Sequence, residues 1–342
     1  MTLKVIDPGL STSVQDLGRI GFQQYGVVVG GVMDEIAARI ANVLIGNKEE
    51  DAVLELTLMG PTLLIQKDIV ISICGADLSA KIDRVPIPLW KPIFVKEGSI
   101  LHFGRPQKGC RAYLAIAGGI DVSMIMGSRS TYVRGGFGGY QGRALQEGDV
   151  LNQNPHKSKK TTCLMDYLGR KISSNPFHTV HWTVSSKIKP MYDKNPEIHF
   201  IKGPQFDQFS VKSKQKFVTE HYQVTSKSDR MGYRLSGTAL ELTSQVELLS
   251  EAVTMGTIQV PNDGQPIILM ADRQTIGGYP KIGCVASIDF PVLAQVMPGE
   301  KLTFKEITIN EAQRLLIERE HAFSELRSGI SLAIRRMKNG AN

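Results

Sequence analysis

The sequence has few of the residues that build disulfide frameworks, metal centres or membrane spans. Its four cysteines, Cys74, Cys110, Cys163 and Cys284, lie far apart without a C-x-x-C pair, so neither a disulfide framework nor a zinc site is expected. Cys74 lies in an apolar, strand-like segment and is interpreted as a buried small hydrophobe rather than a nucleophile. No apolar run reaches roughly 18 residues, and residues 1–10 lack a signal-peptide pattern. We therefore expect a cytoplasmic protein without a membrane partner.

Several signatures of catalysis are also absent. The seven histidines show no metal-ligand spacing, so no metal site is expected. There is no G-x-x-x-x-G-K-[ST] phosphate loop and no G-x-S-x-G nucleophile motif. The glycine run over 135–139 does not have dinucleotide-binding spacing and does not precede a helical pattern. The chain therefore offers no phosphate-cradling loop and no support for covalent catalysis.

The formal net charge of +7 is concentrated in two segments. Between residues 157 and 194, eight Lys and Arg outnumber two Asp, and Arg335, Arg336 and Lys338 add three cations near the end. The rest of the chain is therefore slightly acidic. Solvated charge on a connector and a tail is the ordinary interpretation, because no basic stripe interleaved with aromatic residues marks a nucleic-acid groove. We expect no nucleic-acid partner.

Short β-type runs separated by glycine and proline turns dominate the chain and predict a mainly β fold, as a barrel or sandwich. Runs of this kind occupy 68–74, 112–117, 256–260 and 266–270. The pair Asp263-Gly264 predicts a hairpin between the last two. A turn glycine, a polar residue and a following Leu recur over 97–101, 147–151 and 298–302, which predicts three turns that each lead into a strand.

Helical patterns are few. Apolar spacing predicts a helix over 34–45, which ends at Gly46-Asn47. Thr308 and Glu311 form a predicted capping box before a C-terminal amphipathic helix, which we expect to break at Gly329. The expected organisation is a β-rich N-terminal domain over 1–155, a basic connecting region over 156–195, a β-barrel domain over 196–308, and a C-terminal helix and basic tail over 309–342. Within the connecting region, a strand at 177–184 is an open alternative.

Four glycine-rich loops carry Arg, Asp, Lys and Gln side chains, over 12–19, 126–139, 228–234 and 271–281. Glycine lets the backbone approach a ligand closely, and arginine supplies a planar fork for carboxylate or phosphoryl oxygens. Together the loops predict a pocket for a small amide or carboxylate substrate. The alternative is that each neighbouring Asp-Arg pair only stabilises its own tight turn.

These loops and several shorter motifs, in the same order, make the sequence similar to the allophanate hydrolase subunit 2 family. That family also includes the C subunits of 5-oxoprolinases and is described as biotin-dependent carboxyltransferase-like. The similarity extends over about residues 3–312. The motifs that carry it include Pro8-Gly9, Val14-Gln15-Asp16-Leu17-Gly18-Arg19, Met33-Asp34, Gly75-Ala76-Asp77, Gly127-Ser128-Arg129-Ser130, Ser228-Asp229-Arg230-Met231-Gly232-Tyr233 and Ala271-Asp272-Arg273-Gln274-Thr275.

The resemblance implies a cyclophilin-like β-barrel architecture and a place in a hetero-oligomeric, ATP-dependent 5-oxoprolinase. Such a protein works with a subunit 1-type partner and a third subunit to open 5-oxo-L-proline to L-glutamate, and which subunit binds ATP is left open. One alternative is a regulatory protein that antagonises a histidine-kinase inhibitor resembling the subunit 1-type partner. Another is a biotin-dependent carboxyltransferase acting on a urea- or amide-like substrate. Because Met337-Lys338-Asn339 departs from the Met-Lys-Met motif, biotin is expected only on a separate carrier.

Residue chemistry suggests roles for the loop side chains in lactam opening. An amide carbonyl is a poor electrophile, so phosphorylation of its oxygen creates a leaving group, and cations must hold the developing charge. Arg230, Arg273 and Lys281 are predicted clamps, Asp272 an orienting acceptor or base, and the Gly277-Gly278 backbone a donor surface. The predicted catalytic residues are Asp272, Arg273 and Lys281, and the predicted substrate-binding residues are Gln15, Asp16, Arg129, Ser130, Asp229, Arg230, Gly277, Gly278 and Tyr279.

Overall fold

The computed structural model describes residues 1–155, 158–172, 175–244 and 248–338. The chain forms two compact units. The first comprises Met1–Gly18, Asp34–Pro190 and the chain from Glu320 onward, and the second comprises Arg19–Met33 and Met191–Arg319. In the described ranges, no helix is both long enough and apolar enough to cross a bilayer. Asn339, which breaks the biotinylation motif, and the rest of the tail lie outside the described residues.

Two six-stranded antiparallel sheets build the first unit, in the orders β11-β1-β4-β9-β6-β7 and β12-β8-β5-β10-β3-β2. Their strands are β1 (Leu3–Asp7), β2 (Ser11–Gln15), β3 (Val53–Thr57), β4 (Thr62–Ile65), β5 (Ile69–Asp77), β6 (Lys81–Ile82), β7 (Val85–Pro86), β8 (Pro92–Val95), β9 (Ile100–His102), β10 (Lys108–Ile116), β11 (Val150–Leu151) and β12 (Phe177–Thr179). A short 3-10 helix occupies Val133–Gly135. The apolar run at Ile69–Cys74 lies on β5, in the middle of its sheet. Burial raises the pKa of the Cys74 thiol, which keeps the thiol neutral and agrees with its interpretation as a small buried hydrophobe.

The predicted helix over 34–45 is confirmed as α1 (Glu35–Leu44). The Asp34 carboxylate caps it by accepting a hydrogen bond from the backbone N–H of Ala37 at 3.0 Å. The N–H of Asp34 in turn donates to the Tyr113 hydroxyl at 2.7 Å, and that hydroxyl donates to the buried Glu55 carboxylate at 2.9 Å. This buried chain of hydrogen bonds holds the start of α1 against β10 and β3.

The expected connecting region over 156–195 largely belongs to the first unit. Its described part contains α2 (Lys159–Arg170), capped by Ser158, and strand β12, which pairs with β8. Thr161, Leu164 and Leu168 are the buried residues of α2, at a spacing of three or four. The sequence does not predict this helix, because only three of its positions are buried and charged residues lie between them.

A 30-residue helix, α5 (Ile309–Lys338), ends the described chain. The predicted capping box is confirmed, because Glu311 accepts from the N–H of Thr308 at 2.8 Å and donates its own N–H to the Thr308 hydroxyl at 3.2 Å. The predicted break at Gly329 is wrong. The helix continues through it because the buried residues Phe323, Ile330 and Ile334 lie on both sides, and this packing outweighs the roughly 1 kcal/mol cost of glycine. The division between the two units falls inside α5, after Arg319.

Arg39 links α1 to the part of α5 that belongs to the first unit. Its guanidinium donates to both carboxylate oxygens of Glu320 at 2.8 Å and to Glu49 at 2.7 Å. It also lies 4.1 Å from the ring centroid of Phe323. The first unit therefore depends on a contact between residues 281 positions apart in the chain.

The second unit is built on a closed seven-stranded barrel in the order β13-β20-β17-β18-β15-β14-β21, beside a two-stranded sheet of β16 and β19. Its elements are β13 (Glu197–Lys202), α3 (Val211–Thr219), β14 (Tyr222–Val224), β15 (Gly232–Ser236), β16 (Glu251–Ala252), β17 (Thr257–Gln259), β18 (Ile267–Leu269), β19 (Ile276–Gly277), β20 (Lys281–Val285), α4 (Phe290–Leu293) and β21 (Lys301–Glu306), with 3-10 helices at Gln23–Tyr25, Phe206–Gln208 and Ser287–Asp289. Phe200, Phe217 and Phe304 pack in its core. The predicted mainly β fold with a barrel and few helices is confirmed.

The turn predictions are also confirmed. Strands β17 and β18 pair as the predicted hairpin, and Gly264 has a φ of +72°. The three recurring turn glycines, Gly98, Gly148 and Gly299, have φ values of +85°, +85° and +93°. Each lies two residues before a strand (β9, β11 or β21), in a conformation that glycine adopts without strain.

Candidate functional site

The residues that the sequence predicts as a site fall into two clusters, one in each unit. The first-unit cluster centres on Asp16, which is 7% exposed. Its carboxylate accepts hydrogen bonds from the Ser128 and Ser130 hydroxyls at 2.6 and 2.5 Å and from the N–H of Arg129 at 2.5 Å. It also accepts from the N–H of Gly18 at 2.9 Å. With four donors, Asp16 holds the loop over 128–130, which lies more than 100 residues away in the chain, in addition to its own turn at Gly18.

Gln15, the last residue of β2, is the predicted residue next to Asp16. Its side-chain nitrogen donates to the Ser13 hydroxyl at 3.0 Å and to the Thr131 carbonyl at 3.2 Å. Its side-chain oxygen is buried and accepts no hydrogen bond within the described ranges. The hydrogen bonds of Asp16 and Gln15 thus hold the loop over 128–131, and the Gln15 side-chain oxygen is a buried acceptor next to this loop. The Arg129 side chain is half-buried.

In the second unit, Arg230 and Asp272 form a two-pronged ion pair. The Nε and Nη2 atoms of Arg230 donate to Oδ2 and Oδ1 of Asp272, each at 2.9 Å. Nη2 of Arg230 also donates to the Gly31 carbonyl at 2.6 Å, and the N–H of Gly30 donates to the Ala271 carbonyl at 3.2 Å. The pair therefore stabilises the approach of the 30–31 segment to the loop that begins at Ala271.

Arg273 follows Asp272 in the chain but does not take part in the Arg230–Asp272 ion pair. Its guanidinium donates only long hydrogen bonds, to the Val253 carbonyl at 3.5 Å and the Met270 carbonyl at 3.4 Å. It is 9% exposed and forms no ion pair with any carboxylate that the structure describes. Burial lowers its pKa because the charged form loses hydration. Among the described residues, Arg273 is thus a buried cation without an ion-paired carboxylate.

The short sheet of β16 and β19 covers one patch on the outer face of the barrel. Ile258 and Val260 belong to the barrel core, so the alternation of a strand turns Gln259 outward. Gln259 is nevertheless only 1% exposed. Gly277 of β19 lies against it so closely that a Cβ there would stand 2.5 Å from the Gln259 side-chain nitrogen. That nitrogen has no hydrogen-bond acceptor within the described parts of the chain.

Lys281 shares this outer face, because it is the register partner of Gln259. Its ammonium group is buried and donates to Glu251 of β16 at 2.6 Å, and its N–H donates to the Gln205 side chain at 3.0 Å. Glu251 pairs with Gly277 in the covering sheet. Direct contacts therefore join Lys281, Glu251, Gly277 and Gln259 into one cluster.

The remaining predicted residues lie at the margins. The Asp229 carboxylate accepts from the N–H groups of Met231 and Gly232 at 2.8 and 3.2 Å, which makes it a turn-stabilising residue. Gly278 lies against the backbone of Leu248 and Ser250, and the Tyr279 side chain is 47% exposed. In the described ranges, no group of three or more His, Cys, Asp or Glu is arranged to hold a metal ion.

Sequence reasoning missed Gln259 and Glu251. Glu251 carries no signal, since it is an ordinary exposed acid until Lys281 is placed beside it. Gln259 does carry one, because it is a glutamine within the apolar β-type run over 256–260. The second unit thus contains three buried donors: Gln259 and Lys281 in this cluster, and Arg273 beside the Val253 and Met270 carbonyls.

Comparison with known proteins identifies the family to which the chain belongs. The family model described as "Carboxyltransferase domain, subdomain A and B" matches residues 25–306. The chain is 38% identical to the C subunit of 5-oxoprolinase from Escherichia coli strain K12 over 95% of its length and 97% of that protein, and 35% identical to the corresponding protein of Haemophilus influenzae over 95% and 97%. Among solved structures, Kluyveromyces lactis urea carboxylase matches 94% of the chain with a TM-score of 0.83 and 31% identity, over 29% of its own length.

Proposed function

Because the chain belongs to the family of carboxyltransferase domains, subdomains A and B, we propose that it is a subunit of an ATP-dependent 5-oxoprolinase. In this proposal it acts with a subunit 1-type partner and a third subunit to open 5-oxo-L-proline to L-glutamate. The support is its similarity to the C subunits of two 5-oxoprolinases over nearly the whole length of each chain. The chain has no phosphate-cradling loop, so the proposal assigns ATP binding to none of its residues.

One observation carries the site assignment: Arg273 is a buried cation without a carboxylate partner among the described residues, in the unit that also contains the unpartnered Gln259 amide. A buried charge without compensation is unfavourable, and a bound carboxylate or a developing oxyanion would compensate it. Gln259 and Lys281 are further buried donors of the same unit. The Arg230–Asp272 pair then acts as a support that positions the loop carrying Arg273.

The test is the variant Arg273→Met in the reconstituted three-component system, with glutamate formed from 5-oxoproline and ATP as the readout. Methionine preserves the volume and removes the charge, so the fold should be kept. We expect turnover to fall about 100-fold or more, the scale for losing one donor to a developing oxyanion. The matched control is Arg234→Met, an exposed arginine on β15, which should retain full turnover. Full turnover by a folded Arg273→Met variant would remove Arg273 from the mechanism.

Carboxyl transfer to a urea- or amide-like substrate is the second candidate function, because of the similarity to urea carboxylase. The chain itself has no Met-Lys-Met motif, so this reaction would require a separate biotinylated carrier. Incorporation of labelled bicarbonate that depends on such a carrier would favour carboxyl transfer. Consumption of 5-oxoproline without carrier or bicarbonate would favour lactam opening.

A further inference from the structure

We propose that the face formed by α2 and the last two turns of α5 binds an acidic segment of a partner protein, one that also presents apolar side chains. The face lies entirely within the first unit. The proposal concerns binding by this chain alone and does not depend on the reaction proposed above. It uses the concentrated positive charge, which the candidate site leaves unexplained.

The fold brings the two basic segments of the sequence together. The Lys160 ammonium on α2 donates to the Ser331 hydroxyl on α5 at 2.8 Å. One helical turn further along each helix, the Cys163 thiol lies 3.6 Å from the Ile334 carbonyl. Charges that the sequence assigns to a connector and a tail are therefore neighbours on one surface.

A groove of about 720 Å³ runs between the two helices. Apolar and weakly polar side chains line it, among them Cys163, Tyr167, Ile334 and Met337. A single acid, Asp166, also lines it. Six cations surround it, namely Lys159, Lys160, Arg170, Lys171, Arg335 and Lys338, and all six are exposed.

None of the six cations forms an ion pair with a carboxylate in the described part of the chain, and neither does Asp166. Elsewhere on the first unit, Arg39 binds three carboxylates and Arg143 binds one. Six like charges around one groove repel one another and raise the local potential. We therefore expect a bound molecule to supply the negative charge that would compensate these cations.

The groove favours an acidic protein segment over nucleic acid. A single-stranded nucleic acid stacks its bases on exposed aromatic rings, but the Tyr167 ring is covered by Lys171, whose ammonium lies 4.3 Å from the ring centroid and donates to the hydroxyl at 2.6 Å. A duplex would contact the cations through its phosphates and leave the apolar floor of the groove unfilled. An amphipathic helix matches both parts of the surface, because its apolar residues fill the groove while its acidic residues reach the cations. An anionic membrane would reach the cations but would leave the concave apolar floor unfilled.

Fluorescence anisotropy of the full chain tests the proposal with a labelled helical peptide of about 14 residues, with Leu on one face and Glu elsewhere. Its comparison probes are a polyglutamate peptide of equal charge, a short DNA duplex and phosphatidylglycerol vesicles. The test variant is Lys159→Glu with Arg335→Glu. The control variant is Lys81→Glu with Arg105→Glu, which changes the net charge equally at two exposed sites of the first unit outside this groove.

We expect the amphipathic peptide to bind at least about tenfold more tightly than polyglutamate, and the complex to weaken about tenfold as salt screens the charges. The test variant should lose about tenfold in affinity and the control variant less than about twofold. Equal binding of polyglutamate, or stronger binding of the duplex or the vesicles, would overturn the choice of a protein segment. Equal loss in the two charge-reversal variants would overturn the location of the site.

Discussion

Loss of the ion pair between Arg230 and Asp272 is expected to destabilise the second unit measurably. Its side chains are only 17% and 9% exposed, and both prongs are 2.9 Å long. Replacing Asp272 with Asn keeps the shape but leaves the guanidinium without its counter-charge. Breaking a fully buried pair from one side costs roughly 3–5 kcal/mol, and the partial exposure of Arg230 reduces this to about 2–3 kcal/mol.

Hydrogen exchange is the suitable assay because both tryptophans, Trp90 and Trp182, lie in the first unit and do not report on the barrel. The N–H groups of Gly30 and Asp272 donate to Ala271 and Arg230, on the two sides of the pair. Since about 1.4 kcal/mol corresponds to a factor of ten, we expect these amides to exchange roughly 50-fold faster in Asp272→Asn.

The matched control is Asp149→Asn, which breaks another two-pronged pair, with the Nη1 and Nη2 atoms of Arg143 at 2.7 and 2.8 Å. That arginine is 29% exposed, so we expect a cost of about 1 kcal/mol or less. An acceleration below about threefold in Asp272→Asn, or equal effects of the two variants, would refute the reasoning from burial.

Three further predictions concern local structure. Asp16→Ala leaves four donors without their acceptor, so urea unfolding followed by tryptophan fluorescence should show a loss of about 3 kcal/mol; less than about 1 would contradict this account. Gly142 has a φ of +70°, and a Cβ there would lie 2.1 Å from the Gly136 carbonyl oxygen, so Gly142→Ala should lower the thermal midpoint by several degrees, whereas an unchanged midpoint would refute the clash. Hydrogen bonds from Thr308 lower the pKa of Glu311, so this cap is present above the ordinary value of 4.5 and lost as pH falls through the lowered pKa. Carboxyl NMR titration of Thr308→Ala should show the Glu311 pKa rising toward 4.5, and no rise would contradict the capping interaction.

Short-range sequence signals predicted the local structure well. The capping box at Thr308, the helix over 34–45 and the hairpin at Asp263-Gly264 each depend on residues a few positions apart. Their geometry follows from the backbone itself, so distant packing does not need to be known. The expected break at Gly329 was wrong because the packing of Phe323 and Ile330 is not visible in the local pattern.

The domain ranges and the candidate site depend on long-range contacts, which the sequence alone does not reveal. The range over 156–195 has the pattern of a basic connector, since its one amphipathic helix shows only three buried positions. Arg273 and Lys281 were selected from loop chemistry, and the structure buries both, Arg273 beside two backbone carbonyls and Lys281 beside the Glu251 carboxylate. Gln259 was missed because its burial comes from a covering sheet formed by residues on both sides of it in the chain.

The contact between Arg39 and Glu320 also bears on how the chain folds during translation. The first unit receives its last piece only after residues 191–319 have left the ribosome, which at about 5–20 residues per second takes on the order of ten seconds. Throughout that interval, the Arg39 guanidinium on α1 lacks Glu320, one of its three carboxylate partners, and the Phe323 ring that covers it. The nascent first unit therefore remains incomplete while the barrel is synthesised.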